Sequence, residues 1–185
     1  NTSVLAASGA ISGFAKTKYC SFDVWDTIRG INPTGADGWF TITPDTAQLV
    51  QLSNDYAIFK PNTVRGSVTI TYSYIDTTGG GATQFNIDST RFVDYIGTVD
   101  FVTLDSEYCA NAGQVTLNAI FSHPSGSGQF TGPSQGFLVN PTLNQAFLYP
   151  SQLPPNNTYQ ISFVYTSSIS GCQVGVTKPT IIHSL

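Results

Sequence analysis

The sequence contains little charge and few of the residues that build helices. Only 10% of its 185 residues are charged, methionine is absent, and Glu107 is the single glutamate. Threonine, serine, glycine, valine and aromatic residues take their place, and these residues are typical of strands and turns. The absences argue against a helical protein and favour an all-β fold.

Further absences exclude two classes of partner. The chain has no apolar run of about 20 residues, which a membrane-spanning helix needs, and no basic start of the kind that opens a signal peptide. Its net charge is -4 and its seven Lys and Arg residues are scattered, so no basic stripe is available to bind nucleic acid. We therefore expect no nucleic-acid partner and no membrane insertion in this segment. The missing initiator methionine indicates a mature chain or an excised piece.

The second half of the chain repeats the first. Matching segments lie 89 to 91 residues apart, a period too long for a solenoid unit of about 20 to 50 residues and suited to a small domain. We therefore predict two tandem domains, 1–96 and 97–185, that join near Tyr95 to Thr98. The matching segments are Tyr19-Cys20 with Tyr108-Cys109, Gly38-Trp39-Phe40-Thr41 with Gly128-Gln129-Phe130-Thr131, and Ala57-Ile58-Phe59-Lys60-Pro61 with Ala146-Phe147-Leu148-Tyr149-Pro150.

Strand patterns recur at short intervals in both copies. Residues 68–74 read Val-Thr-Ile-Thr-Tyr-Ser-Tyr, so apolar and hydroxyl side chains alternate, and 159–165 shows a similar alternation. Glycine- and proline-rich turns separate such runs about every ten residues, which predicts an antiparallel β-sandwich in each copy. The single candidate for a helical turn is Thr46 to Leu52, which is too short to form alone.

The second copy resembles the immunoglobulin-like or PKD-like repeats of large Bacteroidetes cell-surface proteins. The resemblance covers about 100–185 well and the first copy more loosely. It is carried by Tyr108-Cys109, Gly128-Gln129-Phe130-Thr131-Gly132-Pro133, Tyr149-Pro150, the strand Thr158 to Tyr165, and Gly171-Cys172. Such repeats occur in gliding-motility adhesins and other cargo of type IX secretion. The resemblance thus implies a segment of a secreted or surface-anchored adhesin, with immunoglobulin-like domains, neighbouring repeats of a longer chain as partners, and no catalytic residues.

The three cysteines bear on the compartment. Cys109 opens the second copy and Cys172 follows its best strand, so a bond between them would close most of that domain, and the resemblance places them on neighbouring strands. The position that matches Cys172 in the first copy is Gly81, which leaves Cys20 as an unpaired core thiol. A disulfide indicates an extracellular setting. The alternative is three buried thiols in a cytoplasmic protein.

A short motif suggests glycosylation. Bacteroidetes secreted proteins resemble one another in carrying O-glycans where Asp precedes Ser or Thr and then a small or aliphatic residue. Four sites match that motif here, at Thr27, Thr46, Thr77 and Ser89. The alternative is that these Asp-Thr and Asp-Ser pairs are ordinary turn residues whose side chains bond nearby backbone.

No constellation for catalysis is visible. The two histidines, His123 and His183, lie in a Ser-His-Pro turn and near the C-terminal end, with no nucleophile or metal-ligand motif around them. We expect a protein that is not an enzyme and that has no cofactor. The alternative is that the segment is accessory to a secreted enzyme whose catalytic domain lies elsewhere in a longer chain.

Metal binding is a separate hypothesis. Four acids, Asp94, Asp100, Asp105 and Glu107, cluster near the junction of the copies. Calcium prefers such hard oxygen ligands in loops. The alternative is that these acids protect strand edges from pairing.

Comparison of the copies selects two candidates for ligand contact. Trp25 aligns with Gln114 and Trp39 with Gln129. Because strand side chains alternate and Phe40 is expected to be core, we expect both tryptophans to face solvent, as a platform for a glycan or protein partner. The alternative is that each packs beneath a loop or against the other domain, in which case the segment acts as a spacer.

Overall fold

The computed structural model divides the chain into two compact units, 1–95 and 96–185. It describes residues 9–44, 48–61, 65–77 and 80–185. Within those ranges the only helices are two short 3₁₀ turns, Pro141–Leu143 and Pro150–Gln152, and the remaining regular structure is strand. The all-β fold class is therefore confirmed. No helix in the described ranges is long and apolar enough to cross a membrane.

The first unit is a sandwich of two four-stranded sheets, ordered β1-β3-β6-β5 and β2-β8-β7-β4. Neighbouring strands are antiparallel except β2 and β8, which run parallel. The first two strands therefore belong to different sheets, as in immunoglobulin-like domains. The strands are β1 (Ala10–Ser12), β2 (Lys18–Cys20), β3 (Asp26–Ile31), β4 (Gly38–Thr43), β5 (Gln48–Ser53), β6 (Tyr56–Lys60), β7 (Gly66–Asp76) and β8 (Thr83–Asp94).

The second unit repeats this topology strand for strand. Its sheets are ordered β9-β11-β14-β13 and β10-β16-β15-β12, again with one parallel pair, β10 with β16. The predicted pair of tandem immunoglobulin-like sandwiches is confirmed. The strands are β9 (Val99–Val102), β10 (Glu107–Cys109), β11 (Val115–Phe121), β12 (Gly126–Thr131), β13 (Phe137–Asn140), β14 (Gln145–Leu148), β15 (Asn157–Ser167) and β16 (Gln173–His183).

The core of each unit follows the alternation in its longest strands. On β7, Val68, Ile70 and Tyr72 are 0% exposed, and on β15 the same is true of Ile161 and Phe163. Burial of each such side chain stabilises the fold by about 1.5–3 kcal/mol. The sequence pattern thus identified the inward faces correctly.

Two glycines make room for the Tyr72 ring between the sheets. A Cβ at Gly30 on β3 or at Gly38 on β4 would lie 2.2 Å from Tyr72 atoms. In the second unit, Gly128 has the same relation to the Phe163 ring, at 2.1 Å. The Gly-x-Phe-Thr step that recurs in the sequence therefore reflects close packing of an aromatic ring against strand backbone.

The expected Cys109–Cys172 disulfide is wrong, and so is the expectation that Cys20 is unpaired. Cys109 is a free, exposed thiol, whereas Cys20 and Cys172 are disulfide-bonded. The register pairs Cys109 with His183 at the end of β16, while Cys172 immediately precedes the start of that strand. Cys172 is 11 residues from His183, so at about 3.3 Å per residue Cys109 and Cys172 lie about 36 Å apart, and a disulfide needs Cα atoms within about 7 Å.

Candidate ligand-binding face of the first unit

One surface of the first unit presents aromatic, apolar and cationic side chains together. On β3 and β6, Ile28, Ala57 and Phe59 are 0% exposed, so the residues that alternate with them point outward from the β1-β3-β6-β5 sheet. We call the outward set the aromatic face. It consists of Trp25, Thr27 and Arg29 from β3 and the residue before it, Tyr56, Ile58 and Lys60 from β6, and Val50 from β5.

Two cation–π pairs frame the aromatic face. The Nζ atom of Lys60 lies 3.8 Å from the ring centre of Trp25, and the Cζ atom of Arg29 lies 5.5 Å from the ring centre of Tyr56. An exposed pair of this kind contributes about 0.5–1 kcal/mol. The two pairs therefore orient their rings and cations more than they stabilise the unit.

The middle of the aromatic face is apolar with one hydroxyl. The register pairs Ile58 with Thr27 on one side and with Val50 on the other. Because Trp25 and Arg29 are four residues apart, the two cation–π pairs are separated by about 13 Å along the strand. The face thus offers a flat strip several sugar rings long.

Exposure and charge make this strip a candidate for binding. Trp25 is 58% exposed, Val50 41% and Tyr56 40%. The face contains two cations and no acid, although the whole chain carries a net charge of -4. The neighbouring Asp26 turns inward, where it accepts hydrogen bonds from the Tyr19 hydroxyl and from the Ala15 amide at 2.9 Å. Aromatic rings next to cations suit a ligand with an apolar ring surface and negative charge.

Trp39 lies on the other sheet, so the two tryptophans do not form one platform. Trp39 is on β4 opposite Ser73 of β7. Phe40 is buried and Trp39 is half-buried on the outer side. Ser73 is only 3% exposed, and its hydroxyl donates a hydrogen bond to Oδ1 of Asn86 at 2.8 Å. The expectation of a joint platform is therefore wrong, while contact of either tryptophan with a ligand stays a prediction.

The second unit lacks the two cation–π pairs of the aromatic face, although it has the half-buried Phe147 and Tyr149 at the positions of Ile58 and Lys60. The Arg29–Tyr56 pair of the first unit is replaced by the pair Asn118 and Gln145 at the same register position. Gln145 Nε2 donates a hydrogen bond to Asn118 Oδ1 at 2.8 Å. Gln114 stands where the first copy has Trp25. The comparison of copies that selected Trp25 could therefore have found Arg29 and Tyr56, because each aligns with an amide.

The acids proposed for calcium are not gathered into a ligand set. Within the described ranges no three His, Cys, Asp or Glu side chains form a group that could hold a metal ion. Asp100 lies 2.7 Å from Lys178 Nζ, and this hydrogen bond lowers the pKa of Asp100. Glu107 lies 2.9 Å from His183 Nε2, Asp94 is buried, and Asp105 is exposed. The geometry gives the calcium hypothesis no support.

The glycosylation candidates differ in access. Thr27 and Thr77 are exposed, and Thr27 lies in the centre of the aromatic face. Ser89 is half-buried and pairs with the fully buried Ile70, so it belongs to the inner side of its sheet. Thr46 lies outside the described residues. A glycan on Thr27 would cover the aromatic face, so modification and ligand binding at this face exclude each other.

His123 lies in the loop between β11 and β12, as expected, but it is not an exposed loop residue, and His183 does not lie in a tail. His123 is buried, with its Nδ1 atom 3.1 Å from the Tyr165 hydroxyl. His183 is the last residue of β16. The turn sequence around His123 gave no sign that its ring packs into the fold.

Comparison with known proteins adds no family assignment. No protein-family description matches the chain, and no curated protein matches it significantly. The chain is similar in structure to the D00-D0 domains of intimin, with 11% identity, a TM-score of 0.40 and coverage of 94% of this chain and 99% of that one. It is similar to Drosophila N-cadherin EC1-3, with 11% identity, a TM-score of 0.38 and coverage of 97% and 69%.

A third similar structure is a SusE-like surface-located polysaccharide-binding protein from the heparin utilisation locus of Bacteroides thetaiotaomicron. It has 13% identity and a TM-score of 0.36, and the match covers 95% of this chain and 34% of that one. At these identities and TM-scores the matches carry no argument about function. The immunoglobulin-like assignment is made from the strand order of the chain itself.

Proposed function

We propose that this chain is a non-catalytic repeat segment of an extracellular adhesin whose first unit binds an acidic glycan through the aromatic face. The observation that carries the proposal is the pairing of exposed rings with cations on one sheet, Trp25 with Lys60 and Arg29 with Tyr56. The equivalent sheet of the second unit has amides in place of Trp25, Arg29 and Tyr56 and has Tyr149 in place of Lys60, so it carries neither cation. The aromatic face is therefore an addition to the repeat rather than a requirement of its fold.

The chemistry of the face favours a glycan over a protein partner. Sugar rings present CH faces that stack on Trp and Tyr, and carboxylate or sulfate groups pair with Lys and Arg. The apolar centre of the face, Ile58 and Val50, is small, whereas a protein interface needs a larger contiguous area with a well-packed centre. A linear acidic oligosaccharide fits the strip between the two cation–π pairs.

The location and origin belong to the same proposal. The disulfide-bonded state of Cys20 and Cys172 supports an oxidising, extracellular compartment. Assignment to a Bacteroidetes adhesin, to gliding motility and to type IX secretion rests on the sequence resemblance of the second copy. The second unit, without the aromatic face, acts as a spacer in this account.

A glycan array with matched variants tests the proposal. Trp25→Gln and Lys60→Gln should each reduce binding to acidic glycans at least tenfold, because they remove the stacking ring and the cation beside it. Trp39→Gln is the matched control, since it changes the same residue type on the opposite sheet of the same unit, and it should bind as the parent does. Urea unfolding of each variant separates lost binding from lost folding.

The results that contradict the proposal are specific. Binding of neutral glycans alone would exclude the role of the cations. Loss of binding in Trp39→Gln with Trp25→Gln unaffected would place the site on the other sheet. No binding to any glycan on the array would leave the spacer role as the function of both units.

A further inference from the structure

The edge strand β4 of the first unit is covered by an amide side chain. The outward backbone groups of β4 include the carbonyl of Gly38 and the N–H of Phe40. Phe40 N donates to Oε1 of Gln51 at 3.0 Å, and Nε2 of Gln51 donates to the Gly38 carbonyl at 3.3 Å. The side chain of Gln51 thus supplies to β4 the acceptor and donor that a further strand would supply.

The same edge is present on β12 of the second unit. Gly128 and Phe130 pair with Tyr165 and Phe163 of β15, as Gly38 and Phe40 pair with β7. Because the registers match, the Gly128 carbonyl and the Phe130 N–H point away from β15, toward the open edge of the sheet.

The residue that would cover this edge has been replaced. Gln51 lies opposite Ala57 in its sheet, and the residue opposite the equivalent Ala146 is Val139. Valine has neither donor nor acceptor in its side chain. In the described part of the second unit, we find no side chain that makes the pair of bonds that Gln51 makes.

An open groove lies along this edge. Its walls are Ser127, Gly128 and Gln129 of β12 on one side and Val139 and Pro141 on the other. Val139 is 41% exposed. The six residues of β12, Gly-Ser-Gly-Gln-Phe-Thr, include no charge and no proline, which are the usual devices that prevent an edge strand from pairing.

We propose that β12 is a docking edge for an extended, uncharged peptide segment of a partner protein, which adds to the β10-β16-β15-β12 sheet as a further strand. The first unit shows the chemistry of the occupant, because the group seated on the matching edge is a carboxamide with one carbonyl and one N–H side by side. A peptide backbone presents that pair repeatedly at the strand spacing, whereas the acetamide of an amino sugar presents it once. The groove contains apolar and neutral polar side chains, so the segment that it accepts is uncharged on the side facing Val139.

Exchanging Gln51 and Val139 between the two edges tests, in the full chain, whether β12 is the open docking edge. Val139→Gln should cover the β12 edge as Gln51 covers β4, and Gln51→Val should open the β4 edge. In amide hydrogen exchange followed by NMR, the Phe130 amide should exchange at least tenfold faster than the Phe40 amide in the parent chain. Val139→Gln should slow the Phe130 amide, and Gln51→Val should speed the Phe40 amide.

Binding is then measured with a defined uncharged probe, the peptide acetyl-Ser-Thr-Val-Thr-Val-Thr-Ser-amide, and with N-acetylglucosamine as a comparison. The peptide should shift and protect the amides of Gly128 and Phe130 in the parent chain, should fail to do so in Val139→Gln, and should protect the Phe40 amide in Gln51→Val. Because the glutamine replacement lies at a partly exposed site, urea unfolding should show both variants folded.

Four outcomes would overturn the proposal. The first is a Phe130 amide that is already protected in the dilute parent chain, and the second is a peptide effect that is the same in Val139→Gln. The third is protection by N-acetylglucosamine alone, which would make the occupant a sugar. The fourth is protection that rises with protein concentration without peptide, which would make the occupant a second copy.

Discussion

Replacement of Tyr72 by phenylalanine isolates one buried hydrogen-bond site of the first unit. The ring is 0% exposed, its hydroxyl donates to the carboxylate of Asp55, and it accepts from Asn32 Nδ2 at 2.9 Å. A hydrogen bond to a charged group contributes about 1.5–3 kcal/mol. Because Asp55 and Asn32 are only half-buried and regain water in the variant, we expect a loss near the lower limit, about 1.5 kcal/mol.

The loss should depend on pH. Burial, and secondarily the hydrogen bond to Asp55, raise the pKa of Tyr72 from 10.0 to about 12. The folded state thus holds the proton more tightly than the unfolded state. The contribution of this residue to stability is fully present below about pH 10 and is lost as the pH rises toward about 12.

At about pH 11, one unit above the unfolded pKa, the parent chain should therefore lose about 1.4 kcal/mol through Tyr72, and Tyr72→Phe has no hydroxyl to titrate. The difference in unfolding free energy between the two chains should shrink from about 1.5 kcal/mol at about pH 8 to near zero at about pH 11. Urea unfolding followed by circular dichroism at several pH values measures this difference. Other tyrosines with raised pKa, such as Tyr19, are common to both chains and cancel.

The second unit provides the control for packing, since Phe163 occupies the register position of Tyr72 and is also 0% exposed. The fold therefore accepts phenylalanine at this place. A difference that stays constant from about pH 8 to pH 11, or no destabilisation at all, would refute the argument that burial and the bond to Asp55 hold the hydroxyl in its protonated form.

The remaining predictions concern packing, thiols and glycosylation. Gly38→Ala should lower the free energy of unfolding in urea by about 1–3 kcal/mol, because the new methyl group would lie 2.2 Å from Tyr72. Gly81→Ala is the control and should be neutral, since no atom lies within 4 Å of its new methyl group. Equal losses in the two variants would contradict the packing argument. Maleimide should label one thiol, Cys109, in the unreduced chain, and peptide mapping that finds the label elsewhere would contradict the assigned pairing state. In protein from its native host, binding at the aromatic face predicts a bare Thr27, and use of the Asp-Thr motif predicts a glycan on the exposed Thr77. Mass spectrometry of both sites decides: a glycan on Thr27 would contradict the binding proposal, and a bare Thr77 would contradict the motif.

The sequence predicted the parts of the fold that depend on local alternation. Val68, Ile70 and Tyr72 follow a period of two and are buried as that period requires. The segment from Thr46 to Leu52 has no clear alternation and was the single candidate for a helical turn, although it is too short to form one alone. In the structure, 48–53 form β5, since pairing with β6 outweighs the weak local preference.

The sequence could not predict features that depend on the register between strands, such as the disulfide pairing and the aromatic face. The disulfide error arose because the resemblance placed Cys109 and Cys172 on neighbouring strands without showing that they lie at opposite ends of β16. The aromatic face shows a similar limit. Copy comparison selected Trp25, but its neighbour Lys60 becomes visible only when the β3–β6 register brings both to one surface.

The most direct test of the central claim uses the two tryptophans as separate reporters. In Trp39→Phe the sole tryptophan is Trp25, and in Trp25→Phe it is Trp39. Titration of each variant with a sulfated uronic-acid hexasaccharide should give a saturable change in emission only for the chain that retains Trp25. Raised salt should weaken this binding, because Lys60 and Arg29 contribute charge. A change reported only by Trp39, or no change in either variant, would contradict the account.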